Sequence, residues 1–229
     1  MILDKEILRE SLDKVIFNIE SARLSVDAHR IVEIVAVSKY TDIENIKTLY
    51  ALGQRAFGEN QVQQLKSRVQ ELEDLPLSWH MIGSLQKNKI NNLIDINPIL
   101  FQGLDSIELA QELDKKLKAK DKTMDVLLQI NSANEESKSG VKSDEAIDIY
   151  QEIQERFSSI KLQGVMSIGA HSDNIKIIQK SFEDTYSIFD KLQKDGATVC
   201  SMGMSGDYEI AIKCGSNMVR VGSTILPRG

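Results

Sequence analysis

The chain is poor in the residues that staple a fold or hold a metal. Its 229 residues include two cysteines and three histidines. Cys200 and Cys214 stand in no C-x-x-C or Cys/His spacing, and His29, His80 and His171 are far apart. That excludes a disulfide framework and argues against a zinc site. Two such thiols read as reduced, buried and cytosolic. Only three prolines interrupt the chain, none inside a helical pattern. No run approaches the ~20 apolar residues that cross a bilayer. The N-terminus lacks the basic start and continuous apolar run of a signal peptide. The formal net charge is −6, with no Lys/Arg cluster of the kind that tracks phosphates. The expectation is a cytoplasmic protein with no membrane and no nucleic-acid partner.

What is present is alternation. Short apolar runs at Val32–Val37, Arg55–Phe57, Trp79–Ile82, Ile99–Phe101, Asp125–Ile130, Leu162–Ile168, Thr198–Met202 and Met218–Val221 read as strands. Between them apolar residues step by three or four: Val62, Leu65, Val69, Leu72; Ala110, Leu113, Leu117; Ala146, Tyr150, Ile153, Phe157; Ile178, Phe182, Phe189, Leu192. The N-terminal helix carries a stripe of Leu8, Leu12, Val15, Ile16 and Ile19. Thr41 with Glu44, and Asp105 with Glu108, resemble capping boxes. Strand–helix alternation implies parallel strands with right-handed crossovers. Eight strands close most economically as an α/β, (β/α)8 TIM-like barrel. A doubly wound open sheet has the same local signature, but no G-x-G-x-x-G follows the first strand. One domain is expected over residues 1–229, with an extra N-terminal helix in residues 1–28 and the barrel in 31–226.

Barrel chemistry gathers at the C-terminal ends of the strands. Lys39 ends the first strand, where partial desolvation would make its amine a nucleophile toward carbonyls; the plainer reading is a surface lysine. Gly58-Glu59-Asn60 ends the second, and Asn60 could equally be a helix N-cap. His80 lies in the third strand, where a satisfied core histidine is the commoner case. Two Gly- and hydroxyl-rich turns follow the last two strands, Ser201-Met202-Gly203-Met204-Ser205-Gly206-Asp207 and Gly222-Ser223-Thr224. That is where this fold recurrently binds phosphate. Arg220 alternates with Val219 and Val221, so it faces the interior if the valines face the helices; a salt bridge to a carboxylate is the competing explanation. Lysine, anion cup and inward arginine fit pyridoxal 5′-phosphate (PLP). Lys39 takes the aldehyde in a Schiff base, the two turns take the phosphate, and Arg220 meets the pyridine nitrogen.

The strings AVSKY, FGENQVQ, WHMIGSLQKNK, NSANEESKSG, GVMSI and SMGMSGDYEIAIKCGSNMVRVGSTI closely resemble the PLP homeostasis protein family, the YggS and PROSC type, from about Val35 to Ile225. The resemblance implies a fold-type III PLP barrel like the N-terminal domain of alanine racemase. Carried across, it matches Lys39 to the Schiff-base lysine and Asn60, Met166 and Ser201 to positions around the cofactor. Ser205, Gly206, Gly222, Ser223 and Thr224 match the phosphate cup, and Arg220 the residue on the ring nitrogen. His80 and Lys138 match mouth residues of open role. Tyr40-Thr41 departs from the family, where many relatives carry Thr and a second basic residue. Racemases of this type take a second base, a tyrosine, from an additional β-domain. The chain ends at Gly229, just after the final strand, so that domain is not expected here. The reading is a carrier that buffers PLP for vitamin B6 and amino-acid homeostasis without a dedicated reaction. PLP-requiring apo-enzymes are its expected recipients and a monomer its expected state. The alternatives are a minimal amino-acid racemase or lyase, and a Schiff-base phosphosugar enzyme without PLP. Arg220→Ala is expected to weaken PLP retention less than loss of the cup.

Overall fold

In the computed structural model, which describes residues 1–133, 135 and 139–227, parallel strands close into a ring. The strands are β1 (Glu33–Val37), β2 (Ala56–Glu59), β3 (Ser78–Met81), β4 (Leu100–Leu104), β5 (Met124–Asn131), β6 (Val141–Lys142), β7 (Ile160–Ser167), β8 (Val199–Ser201) and β9 (Met218–Val221). The helices are α1 (Lys5–Leu24), α2 (Ile43–Ala51), α3 (Val62–Glu71), α4 (Ile90–Ile96), α5 (Ile107–Ala119), α6 (Ala146–Arg156), α7 (Ile175–Leu192) and α8 (Tyr208–Lys213). The order β4-β3-β2-β1-β9-β8-β7-β5 is closed by pairing of β4 with β5. That pairing decides between barrel and open sheet. All eight expected barrel strands form. The ninth, β6, pairs only with the last two residues of β5, Ile130 and Asn131, too short a run to show alternation.

Two apolar layers follow from strand alternation. Val35, Ala56, Leu100, Leu127, Met166 and Met218 fill the barrel interior. Ala36, Phe57, Met81, Phe101, Val126, Val165, Val219 and Val221 pack outward against the helices. At Gly164 (φ 149°) a Cβ would lie 1.9 Å from the Val199 carbonyl oxygen, so glycine permits the close β7–β8 approach there.

Several local expectations shift. The cap of α2 is Asp42, not Thr41; its Oδ1 accepts from Glu44 N at 3.1 Å, while Thr41 Oγ1 accepts from Asn45 Nδ2 at 2.9 Å. The cap of α5 is Ser106, not Asp105, with Leu109 N donating to its Oγ at 3.3 Å. Both cap residues have the extended backbone a capping side chain needs. On α1, Leu8, Leu12, Val15 and Ile19 are buried but Ile16 is exposed, because it lies one position off the stripe. Cys200 is fully buried, and Cys214, at the end of α8, only partly so. Among the described residues, no helix is long and apolar enough to cross a membrane.

Candidate functional site

Lys39 follows β1 with the inward parity of Val35 and Val37. The registers Val37↔Gly58 and Ala36↔Val221 put Asn60 on one side of it and Gly222 on the other. The lysine and the turn after the last strand therefore meet at one mouth. The turn carrying Lys39 is closed by Thr41 N donating to Ser38 O at 3.1 Å. It holds Tyr40 at φ 68°, a left-handed conformation costly for a bulky residue. The Lys39 Nζ lies 5.8 Å from the Tyr40 ring centroid. Lys39 is exposed, unlike the partly shielded lysine expected from sequence. The mouth is open over it, so burial at the amine would have to come from a ligand. A cavity of about 330 Å³ flanks it, lined by Tyr40, Thr41, Asn45, Leu226 and the N-terminal Met1 and Leu3.

Beneath this turn lies a carboxylate that the sequence reading passed over. Glu59 is wholly buried; its Oε1 accepts from Ser38 Oγ at 2.7 Å and lies 3.7 Å from Arg68 Nε. Arg68 also donates to the Thr41 carbonyl. Ser38, Glu59 and Arg68 thus clamp both ends of the strained turn. Burial pushes the Glu59 carboxyl upward, opposed by the Ser38 hydrogen bond and the charges of Arg68 and Lys39. The motif Gly-Glu-Asn contains the signal, a glutamate inside an apolar strand. Asn60 does not cap α3, which Gln61 precedes without a side-chain bond. Instead its Oδ1 is buried with no hydrogen-bond partner.

The two turns expected to form an anion cup do meet. Gly222 N donates to Ser205 Oγ at 3.0 Å, and Thr224 Oγ1 donates to Ser205 O at 3.4 Å. Gly203 turns the chain at φ 93°, where a Cβ would lie 2.7 Å from Tyr208 Cα. Gly206 has open space on its Cβ side, and Ser223 is exposed. The Ser205 hydroxyl occupies the Gly222 N–H that an anion would otherwise use.

Arg220 does face the interior, between outward Val219 and Val221. The competing salt bridge is not formed: among the described residues no carboxylate is within ion-pair distance. Instead its NH1 donates to Ser201 Oγ at 2.6 Å and its NH2 to Ser167 O at 2.8 Å. Burial lowers its pKa to about 10, against the pull of Asp207 and Cys200. Met166 is buried in the inner layer. His80 is buried at 2%, with Nδ1 3.1 Å from Gln102 Nε2 and Nε2 unpartnered, so it is a core histidine only half satisfied. Gln102 was missed because the expected strand stopped at Phe101; β4 runs on to Leu104. Lys138 lies outside the described residues.

Burial alone lowers the pKa of His80 to about 4. Between that value and the ordinary ~6.5 the unfolded chain binds more protons, so acidification across this window costs about 3 kcal/mol of stability. Glu33 and Glu59, raised by burial, act in the opposite sense. His80→Gln should therefore lose less stability than the parent between pH 7 and 4.5 in urea unfolding. Equal losses would contradict it.

A larger cleft of about 450 Å³ opens at the far end, where Leu77, Ser78, Pro98, Ile99 and Met124 line the N-terminal ends of β3 to β5. Its only ionisable lining residue is the exposed Asp125, and no amine, cup or arginine lines it.

The residues at the mouth fit a phosphorylated aldehyde: an inward-side amine, a buried asparagine oxygen lacking a partner, a hydroxyl-lined cup and an interior guanidinium. Similarity to known proteins agrees. The family described as alanine racemase, N-terminal domain, matches residues 11–226. A pyridoxal phosphate homeostasis protein of Helicobacter pylori (strain ATCC 700392 / 26695) is 51% identical over 215 residues, 94% of this chain and 96% of that protein. A solved structure from Bifidobacterium adolescentis superposes with a TM-score of 0.92 at 31% identity, covering 98% of this chain and 97% of that one. PipY of Synechococcus elongatus PCC7942, solved with PLP bound, superposes with a TM-score of 0.81 at 27% identity, over 95% and 99% of the two chains. The chain belongs to the pyridoxal phosphate homeostasis proteins, a family built on the alanine racemase N-terminal barrel.

Proposed function

We propose that this protein binds PLP covalently at Lys39 and keeps it available as part of vitamin B6 and amino-acid homeostasis. The observation that carries the reading is the adjacency of Lys39 to the Gly222–Thr224 turn across the β1–β9 register. An aldehyde-holding amine and an anion cup then flank one mouth. The PipY structure with PLP bound and the names of the curated relatives support it.

Lys39 would hold the aldehyde carbon. Asn60, with its unpartnered buried oxygen, and Met166 would line the ring. Ser205, Gly206, Gly222, Ser223 and Thr224 would hold the phosphate through amides and hydroxyls. Ser201 would fix Arg220, which donates to the pyridine nitrogen. When bound, PLP supplies an electrophilic carbon and an electron sink. Arg220 weakens that sink, because a guanidinium cannot supply the ring nitrogen with a proton the way a carboxylic acid does. The exposure of Lys39 suits release: water and other amines could reach a bond formed at its Nζ. PLP-requiring apo-enzymes are the recipients this reading implies. All the groups named lie on one chain, which supports a monomer, checked by light scattering.

The test is borohydride reduction of PLP-loaded protein followed by peptide mapping. A single modified lysine at position 39 is expected; modification elsewhere would defeat the reading. In cells, deletion of the gene should disturb the free PLP pool.

A further inference from the structure

A line of polar side chains crosses the largely apolar barrel interior. Arg220 NH1 donates to Ser201 Oγ at 2.6 Å, Ser201 Oγ donates to Gln102 Oε1 at 2.7 Å, and Gln102 Nε2 meets His80 Nδ1 at 3.1 Å. His80 Nε2 then looks toward Glu33 Oε1, 3.8 Å away. Glu33 is the first residue of β1, at the base of the barrel, with its side chain 48% exposed. Six residues separate it from Lys39, about 20 Å of extended strand.

The chemistry fixes the direction of the chain. A guanidinium only donates, so the Ser201 hydroxyl accepts from it and gives its own proton onward. The Gln102 atom that receives it is the carbonyl oxygen. The amide nitrogen therefore faces His80, whose Nδ1 must be an unprotonated acceptor and whose proton must sit on Nε2, toward Glu33. Every donor points from the buried cation toward the distant carboxylate.

A purely structural role does not explain these residues. Most other interior positions are apolar, namely Val35, Ala56, Leu100, Leu127, Met166 and Met218, and the buried Gln129 is satisfied separately by the Ser139 carbonyl at 2.9 Å. An unpaired buried N–H at His80 Nε2 costs about 1–3 kcal/mol that an apolar side chain would avoid. The Arg220 guanidinium is buried with no carboxylate in ion-pair contact, Asp207 acting on it only at longer range, and aligned hydrogen bonds polarise one another in a low-dielectric interior.

We propose that Gln102 and His80 are positioning residues for the cofactor ring: through Ser201 they hold the Arg220 guanidinium at the pyridine nitrogen, with Glu33 at the far end of the line. This rests on the reading that Arg220 meets the ring nitrogen. Of the residues in this line, only Arg220 and Ser201 would touch the cofactor.

The test compares release of PLP with release of an analogue whose ring nitrogen is replaced by C–H, from intact protein. Gln102→Met should speed PLP release about threefold, part of what loss of the Arg220 contact itself would cost. It should leave analogue release unchanged and move the ¹⁵N resonance of the PLP ring. Glu33→Gln, at the half-exposed base, should act in the same selective sense but more weakly. Equal acceleration of both ligands, or of neither, would reduce the chain to a structural feature and overturn the proposal. Arg220→Met separates the two levels: if it fails to discriminate between the ligands, the reading of Arg220 itself falls. If Arg220→Met discriminates and Gln102→Met does not, only the chain falls. Should Gln102→Met not fold, Glu33→Gln and the His80 tautomer in the parent protein decide. NMR should show His80 neutral with its proton on Nε2; a proton on Nδ1 would reverse the chain and overturn the proposal.

Discussion

Lys39→Ala protein, loaded with PLP and treated with borohydride, should carry no fixed cofactor on any lysine. Its affinity for PLP should fall by about a hundredfold or more, about 2.7 kcal/mol. The covalent bond is the part of the site that the remaining contacts cannot replace. Asn60, the cup and Arg220 still recognise ring and phosphate, so residual binding that gel filtration strips away is the expected behaviour. The fold should be unaffected, because Lys39 is exposed and enters no hydrogen bond that closes its turn. Ser38, Glu59 and Arg68 hold that turn without it. Persistence of a reducible adduct in this variant would mean that another amine is the true attachment point.

The second large effect is electrostatic. Gly206→Asp should weaken PLP retention at least thirtyfold while leaving thermal stability nearly unchanged. A side chain at Gly206 meets nothing within 4 Å, so the substitution adds charge without a clash. A fixed carboxylate about 6 Å from one phosphate charge costs about 3 kcal/mol at an effective dielectric constant near 20. Salt screening takes part of that, so the defect should shrink as ionic strength rises. Arg220→Ala should cost less, about tenfold in release rate, since it removes one hydrogen bond to a neutral acceptor. Release rates measured on both variants at two salt concentrations check the order. A larger defect in Arg220→Ala, or a Gly206→Asp defect indifferent to salt, would show the anion sits elsewhere.

The barrel was legible because its strands are buried on both faces and its helices are not. Apolar runs such as Asp125–Ile130 and Met218–Val221 announced themselves, and the helical spacing supplied the crossovers. The site was legible where a residue type stands alone at a strand end, as Lys39 does, or where glycine and hydroxyl residues cluster, as after β8 and β9. The motifs matching known relatives added the assignment of each. What stayed hidden depends on contacts between strands far apart in sequence. Gln102 reaches Ser201 across 99 residues, and Glu59 reaches Ser38 across 21. Neither pair has a local signature. Likewise Thr41 looks as good a cap as Asp42 until the backbone is known, and the clamp on Thr41 by Arg68 appears only once α3 is packed.

The first helix stands outside the barrel, yet it leans on α8: Asn18 Nδ2 donates to Tyr208 OH at 3.0 Å and to Glu209 Oε1 at 3.3 Å. Tyr208 is the residue against which Gly203 turns. A lesion on α1 thus has a route, through Tyr208, to the turn proposed to hold the phosphate. Disturbance of Asn18 alone, which leaves the buried face of α1 intact, would reach the far end of the chain without a break in the core.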